Sequence, residues 1–422
     1  MENARKLIEF IGKCPTAYQA VAEIKARLLA SGFTEISEGE VGAFSDGGRH
    51  FVCRADSSII AFFGSGDGFG IAATHLDSPT FKLKGDLSGG AYLKLDTEKY
   101  GGSILYSWLD RPLGIAGRVV INTENGISVR LYDSARPIAV IPSVAIHQNR
   151  SVNDGVKFNP ATDMLPLIGL SGEGLYDAVA RECGACKEDI LSSDLFVYNA
   201  EQGTVAGLNN ELIISPRLDN LECTFAALCG FLSAENSGKS VSVFAAFDSE
   251  EIGSATKGGA DSTFLSDTLA KIAGDAETLA KMLENSFMLS ADNAHATHPN
   301  HPELSDKTGS PNLGSGVALK YNANQRYATD AVSAALTKKL AREAGARLSD
   351  YYCRADMPCG STLGSISTTH VGILCADIGL PQLAMHSASE TAAVSDLSDM
   401  IALMQAHFSS GIEKRGNEYI VK

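Results

Sequence analysis

The sequence predicts an α/β protein with a β-rich unit set into it. Three observations predict this. Short apolar strands recur in the outer parts of the chain, and several run into loops bearing His, Asp or Glu. Between about Thr80 and Glu201 the texture changes to short β-rich runs separated by Gly, Asn and Asp turns. A chain of 422 residues is also long for one hydrophobic core, so two domains are expected.

Composition narrows the function. Hydrophobic residues make up 44% and charged residues 20%, the balance of a globular enzyme. The net charge of −15 argues against a nucleic-acid partner, and an acidic substrate would need a local basic device. The segment MENARKLIEF has no apolar core of the signal-peptide kind, and no apolar run approaches membrane-spanning length. Nine cysteines without disulfide-like spacing point to a reducing cytoplasm. Cys183 and Cys186 form a lone CxxC with no second ligand pair spaced for structural zinc, which leaves surface chemistry or no role.

Taken in order, Tyr18, Val21, Ile24 and Leu28 recur at helical spacing, and Gly32 closes that helix. Phe51 to Cys53 and Ile59 to Phe63 read as strands. Gly64, Gly66, Gly68 and Gly70 follow. A strand rather than a helix comes next, which excludes a phosphate-binding loop and favours a hairpin turn. Gly70 to Thr74 is a short strand delivering His75, with Asp77 on the same side of the extended chain. A carboxylate there can orient a ligating imidazole, although a structural histidine fits as well. In the insert, Gly90–Leu95, Gly117–Ile121, Ile127–Leu131 and Ala139–Ile141 read as strands, and His147 follows the last.

After the insert, Leu212 to Ile214 leads through Pro216 and Arg217 to Asp219, where a helix begins with Leu221, Phe225, Leu228 and Leu232 on one face. The ordinary reading of Asp219 is a helix cap. Val241 to Phe247 is apolar throughout, a strand buried on both faces. It runs into Asp248, Glu250 and Glu251. Carboxylates are costly to bury without a compensating cation or hydrogen bonds, so a metal or a solvated acidic turn is implied. Phe287 to Ser290 ends at Asp292, with His295, His298 and His301 behind it. Gly316 to Lys320 is a strand ending in lysine, Ala331 to Ala344 a helix, and Val371 to Cys375 a strand. Leu383 to Met385 carries the chain to His386, and a last helix is expected from about Glu390 to Phe408.

Five places therefore share one arrangement, an apolar strand followed by His75, Asp219, Glu250-Glu251, Asp292 or His386. Nitrogen and oxygen ligands suit zinc, cobalt or manganese, and one carboxylate could bridge two ions.

The chain resembles the aspartyl aminopeptidases, among the two-metal zinc exopeptidases. The resemblance covers nearly the whole chain. It rests on Thr74 to Pro79, Ile141 to His147, Pro216 to Asn220, Asp248 to Ser254, Ser290 to Asn300, Lys320 to Ala328 and Leu383 to Ser387. Ser387-Ala388-Ser389 departs from it, since Ile and Arg usually precede the Glu at this place.

The resemblance implies a mixed-sheet α/β zinc-exopeptidase catalytic domain, residues 1–79 and 202–422, and an inserted β-rich dimerisation and oligomerisation domain, residues 80–201. It implies two divalent ions, one held by His75 and Asp292, the other by Glu251 and His386, with Asp219 bridging both and a cis Asp219–Asn220 peptide. Asp77 would orient His75, and Glu250 would be the general base. Glu250, Asp292, His295, Lys320, Tyr327 and His147 would meet the substrate, a peptide with N-terminal Asp or Glu, and His147 would reach a neighbour's site in a dodecamer. His298 and His301 are read as structural. A two-metal peptidase or deacylase of other specificity, and a non-catalytic assembly protein, are the competing classes. The first would lack the contexts of Lys320 and His147, and the second would have lost Glu250 or a ligand.

Overall fold

The computed structural model describes residues 1–87, 91–235 and 238–422. Nine strands form the central sheet: β1 (Thr34–Glu35), β2 (His50–Arg54), β3 (Ser58–Phe63), β4 (Phe69–His75), β5 (Val241–Phe247), β6 (Phe287–Ala291), β7 (Val317–Tyr321), β8 (Leu348–Tyr352) and β9 (Leu374–Gly379). Their spatial order is β1-β2-β3-β5-β4-β6-β9-β7-β8. Neighbours from β5 through β4 and β6 to β9 run parallel, whereas β3 runs against β5, and β7 runs against β9 but parallel to β8. The carboxyl ends of β5, β4 and β6 therefore lie side by side.

Alternation along each strand feeds two cores. Phe244, Ala246, Leu289 and Leu319 face the layer built on helices Glu2–Lys13, Ala17–Ala30, Leu218–Ser233, Ala331–Ala344 and Val394–Ser409. Ile71, Val243, Phe247 and Met288 face helices Phe264–Ala273, Ala276–Glu284 and Leu363–His370. Burial on both faces explains why these strands read as unbroken apolar runs.

The β-rich stretch folds as a six-stranded antiparallel sheet in the order Gly126–Asp133, Leu113–Thr123, Ile190–Asn199, Thr80–Leu87, Leu93–Tyr100, Leu167–Gly169. It has its own core, in which Phe81 packs edge-on against Trp108 at 5.3 Å and helix Leu175–Glu182 adds Leu175 and Val179. A third sheet joins Thr204–Ala206, Leu212–Ser215, Glu390–Ala393, Pro381–Leu383 and Ala294–His295. It gathers the segments next to Asp219, His386 and Asp292, which fixes three distant parts of the chain at one place.

Four expectations change. The glycine run at residues 64–70 is not a hairpin, because β5 lies between β3 and β4. The run instead crosses close to other backbone. A Cβ on Gly66 would fall 2.3 Å from the Lys239 carbonyl carbon, and one on Gly68 would fall 2.2 Å from the Asn285 carbonyl oxygen. The strand expected at Val371–Cys375 is Leu374–Gly379, and Val371 is apolar because it is buried under the sheet. The last helix starts at Val394, since Glu390–Ala393 is used as a strand against Leu212–Ser215. The strand expected at Gly90–Leu95 is Leu93–Tyr100, and Gly90 lies outside the described residues.

Candidate metal centre

His75 closes β4 and is 1% exposed. Its Nδ1 lies 3.1 Å from the carbonyl oxygen of Asp77 and 3.4 Å from Asp77 Oδ1. Asp77 also organises the glutamate turn. Its Oδ1 accepts the Glu250 amide at 3.0 Å, and its Oδ2 accepts the Glu251 amide at 3.1 Å and the Tyr100 hydroxyl at 2.8 Å. The turn opens with Ser249 in the left-handed region and continues as a short 3-10 turn, Glu250–Ile252.

Asp219 sits at the start of helix Leu218–Ser233 with non-helical backbone, and the Asp219–Asn220 peptide is cis. It is not the helix cap, a place taken by Arg217. Asn220 Nδ2 donates to the Ala291 carbonyl at 2.8 Å, which ties this helix start to the end of β6 beside Asp292. His386 lies in a turn after Pro381–Leu383 rather than at a strand end, and both it and Ala384 have positive φ. Arg217, Ser249, Ala384 and His386 are all left-handed non-glycine residues next to or within the cluster. Such backbone costs on the order of 1–2 kcal/mol per residue and marks places where side-chain aim is over-determined by the surroundings.

These segments bring the strand-end residues together. His75 Nε2 stands 3.5 Å from Asp219 Oδ1 and 3.4 Å from Asp292 Oδ1. His386 Nε2 stands 3.4 Å from Asp219 Oδ2 and 3.5 Å from Glu251 Oε2. Charge-assisted hydrogen bonds between such atoms would close to about 2.7–2.9 Å. Two ligands about 2.0–2.1 Å from one tetrahedral zinc lie roughly 3.3–3.4 Å apart. The spacing therefore fits atoms sharing a cation, and each oxygen of Asp219 faces a different set. Asp219 Oδ1 and Glu251 Oε1 are buried without a hydrogen-bond partner, a further sign of a site that a cation completes. A third grouping, His75 with Glu250 and Glu251, also falls within ligand range.

The electrostatics agree. Burial alone would raise Asp219, but the imidazoles of His386 and His75 outweigh it and hold the carboxyl well below its usual range. Burial opposes charge on His75, yet Asp219, Asp292 and Asp77 outweigh it and raise the imidazole well above its usual value. His386 behaves alike and is raised to about 10, chiefly by Asp219. Burial, followed by the charge of Asp219, pushes Glu251 well above the carboxylate range. Burial pushes Glu250 up to about 8 against the pull of His75. The cluster attracts positive charge, which bound dications would supply in place of protons.

Lys320 is 2% exposed. Its ammonium donates to the Asn293 carbonyl at 2.8 Å, stands 3.5 Å from Asp292 Oδ2 and lies 5.3 Å from the centre of the Tyr327 ring. His295 is exposed, with its ring 6.5 Å from the Tyr351 ring. His298 and His301 are exposed 5.3 Å apart, and neither belongs to the metal-ligand groupings. His147 is exposed in the loop after Ile141, and among the described residues nothing hydrogen-bonds to its side chain.

Three contributors escaped the sequence reading. Glu390, 2% exposed, accepts the Asp219 amide at 2.9 Å and the His386 amide at 2.8 Å, so one carboxylate sets the backbone of two cluster residues. Its signal was available, for it is the only charged residue between His386 and Asp396. Tyr100 and Gly102 come from the insert, and Gly102 presents its carbonyl 3.2 Å from His386 Nδ1. Nothing local marks them. Ala388, in the unusual Ser-Ala-Ser segment, is buried in the insert core, where a small residue fits.

Comparison with known proteins identifies the family. Residues 10–408 match the Peptidase M18 family, described as aminopeptidase I zinc metalloprotease. The chain is 43% identical over 416 residues to a probable M18 family aminopeptidase 2 of Clostridium acetobutylicum, covering 94% of this chain and 96% of that one. It superposes with a TM-score of 0.92 and 35% identity on a structure of the Ape4 and Nbr1 complex, over 96% of this chain and 85% of the other. It superposes with a TM-score of 0.85 and 27% identity on the S. cerevisiae mApe1 dodecamer, over 96% of each chain. With the fold, the clustered ligands and a match spanning nearly its whole length, this chain belongs to the M18 family of zinc aminopeptidases.

Proposed function

We propose that the chain removes N-terminal Asp, and after it Glu, from peptides with two divalent ions per subunit. Zinc is the expected metal, and cobalt or manganese would also suit the donor set. His75 and Asp292 would hold one ion, Glu251 and His386 the other, and Asp219 would span both, a division supported by the four contacts of 3.4–3.5 Å. When bound, the ions would lower the pKa of a water and polarise the scissile carbonyl. Glu250 takes the proton from the attacking water and returns it to the leaving amine. Asp77 keeps His75 and the glutamate turn in place.

The observation that carries the specificity is Lys320. An ammonium has three donors, of which one is spent on Asn293 and one points to Asp292, leaving one for a substrate carboxylate. Tyr327 packs on the same ammonium and His295 stands nearby. Residues 1–79 and 202–422 are read as the catalytic domain and 80–201 as the oligomerisation domain. The separate core and exposed edge of the insert support that division, and a dodecameric relative supports a homo-oligomer. Nine free cysteines support a cytoplasmic home. Among the described residues no helix is long and apolar enough to cross a membrane.

The test is Lys320→Met. Its kcat/KM should fall about ten- to a hundredfold on Asp and Glu nitroanilides and much less on Leu or Ala ones, since a hydrogen bond to a charged group is worth about 1.5–3 kcal/mol. Equal losses on every substrate would remove the acidic specificity. One metal per chain at full activity would remove the two-ion reading.

A further inference from the structure

The segment after β8 brings two cysteines together. Cys353 follows the last residue of that strand, and Cys359 lies six residues on, before helix Leu363–His370. Their sulfurs stand 2.8 Å apart, and both residues are half-buried. Cys353 Sγ also lies 3.5 Å from the Tyr351 hydroxyl and 3.7 Å from the Tyr327 hydroxyl. Tyr327 in turn packs against the Lys320 ammonium. Cys353 lines a cleft of about 280 Å³ with His295, Gln382 and Ala384, the last two residues short of His386. Cys183 and Cys186, the pair that sequence spacing singles out, share no such contact: Cys183 is buried and Cys186 exposed.

We propose that Cys353 and Cys359 are a redox pair, oxidised by a low-molecular-weight disulfide to an internal disulfide that fixes loop 354–358 beside the cleft and slows peptide turnover. The Cys353 thiolate attacks one sulfur of the small disulfide, and the other sulfur leaves and takes up a proton. Cys359 then attacks Cys353 in the mixed disulfide and expels the second half as a thiol. Two electrons pass from the pair to the small disulfide; of the protons on the two released thiols, one comes from Cys359 and the other from solvent, which took it when Cys353 ionised. The hydrogen-bonding contact with the Cys359 sulfur holds Cys353 below the usual thiol range, the state suited to attack. Oxidation draws the Cys353 sulfur into a bond with Cys359 and away from the Tyr327 and Tyr351 hydroxyls, both on buried residues, so the cleft wall shifts. The pair stands on its own geometry, whichever side chain Lys320 binds.

The test treats the full-length, zinc-loaded enzyme with glutathione disulfide, then alkylates, digests and maps it. The expected result is a Cys353–Cys359 link with loss of two hydrogens and unchanged zinc content. The kcat/KM should drop about tenfold or more on acidic and neutral substrates, the scale of a displaced cleft wall, and a phosphine reductant should restore it. Cys353→Ser, compared with its own untreated activity, should not respond, and Cys359→Ser should stop at a glutathione adduct on Cys353 with no internal link. In the wild type, absence of the link, a mixed disulfide at Cys353 that never resolves, or a link with unchanged turnover, and in Cys353→Ser a drop equal to that of the wild type, would each overturn the proposal.

Discussion

The central sheet and the insert sheet bury apolar surface in different ways. The central sheet is covered on both faces, and its parallel strands β4, β5 and β6 stop together where the acids and histidines begin. The insert sheet is antiparallel and has its core on one side. Its edge strand Gly126–Asp133 leaves Ile127, Val129 and Leu131 at 65%, 47% and 46% exposure. One sheet concentrates chemistry at its ends, and the other presents an apolar edge that pairing with another chain would cover. The contrast teaches that the proposed division of labour, chemistry at the ends of one sheet and assembly on the other, has a physical basis in how each buries its apolar surface, and that the insert also touches the cluster.

The division can be broken at its strongest point. Glu250→Gln should keep its metal and lose about 10²–10⁴ in turnover, since it removes a base and not a ligand. Metal analysis beside kinetics checks this. Loss of metal would reverse the roles of Glu250 and Glu251, which the grouping of His75 with both glutamates makes a live distinction.

Next in size is His147, which is exposed and belongs to none of the metal-ligand groupings of its own chain. His147→Ala should cost about 10²–10³ in rate if its imidazole reaches a neighbour's substrate and steadies the developing oxyanion. Reassembling His147→Ala together with Glu250→Gln should restore part of the activity, because some sites regain both groups. Inactive mixed oligomers of verified composition would confine the insert to assembly.

A third prediction separates the sheets by acid. His407, buried beneath the central sheet, lies 2.9 Å from the Ile71 carbonyl through Nε2, and burial lowers its pKa from 6.5 to about 4. Between those values the unfolded chain binds the extra proton, so stability present above about 6.5 is lost as pH falls towards 4. The loss reaches about 3 kcal/mol. Denaturant melts across that window should show the slope in the wild type and a flatter one in His407→Gln.

The smallest effect is expected at the seam. Tyr100→Phe deletes the insert's hydrogen bond to Asp77 and should weaken metal affinity or activity about tenfold, the lower end for residues that support ligands. Competition with a chelator measures it. No change would show that the central sheet holds its cluster unaided.

What could be read in the sequence follows the same divide. Strands β4, β5 and β6 were legible because burial on both faces leaves apolar runs, and the residues after them stood out because acids rarely follow such runs. Lys320 was legible as a cation closing an apolar strand, although its partners Asn293 and Asp292 were not. The glycine run misled because close backbone approach and a tight turn select the same residue. Glu390 was lost inside an expected helix because small residues flank it on both sides. Tyr100 and Gly102 could not be found, since their partners are 23 and 284 residues away.

The contact of Gly102 with His386 has a consequence for inheritance. Added bulk there would meet the His386 ring at 3.1 Å, and the backbone at Gly102 also receives the ring's Nδ1. A recombination event replacing residues 80–201 with a foreign module would sever these contacts unless the newcomer carried its own equivalents. A substitution at positions 100–104 would therefore have to respect Asp77 and His386. The two sheets, though distinct in core and connectivity, would have to be exchanged together for these contacts to survive.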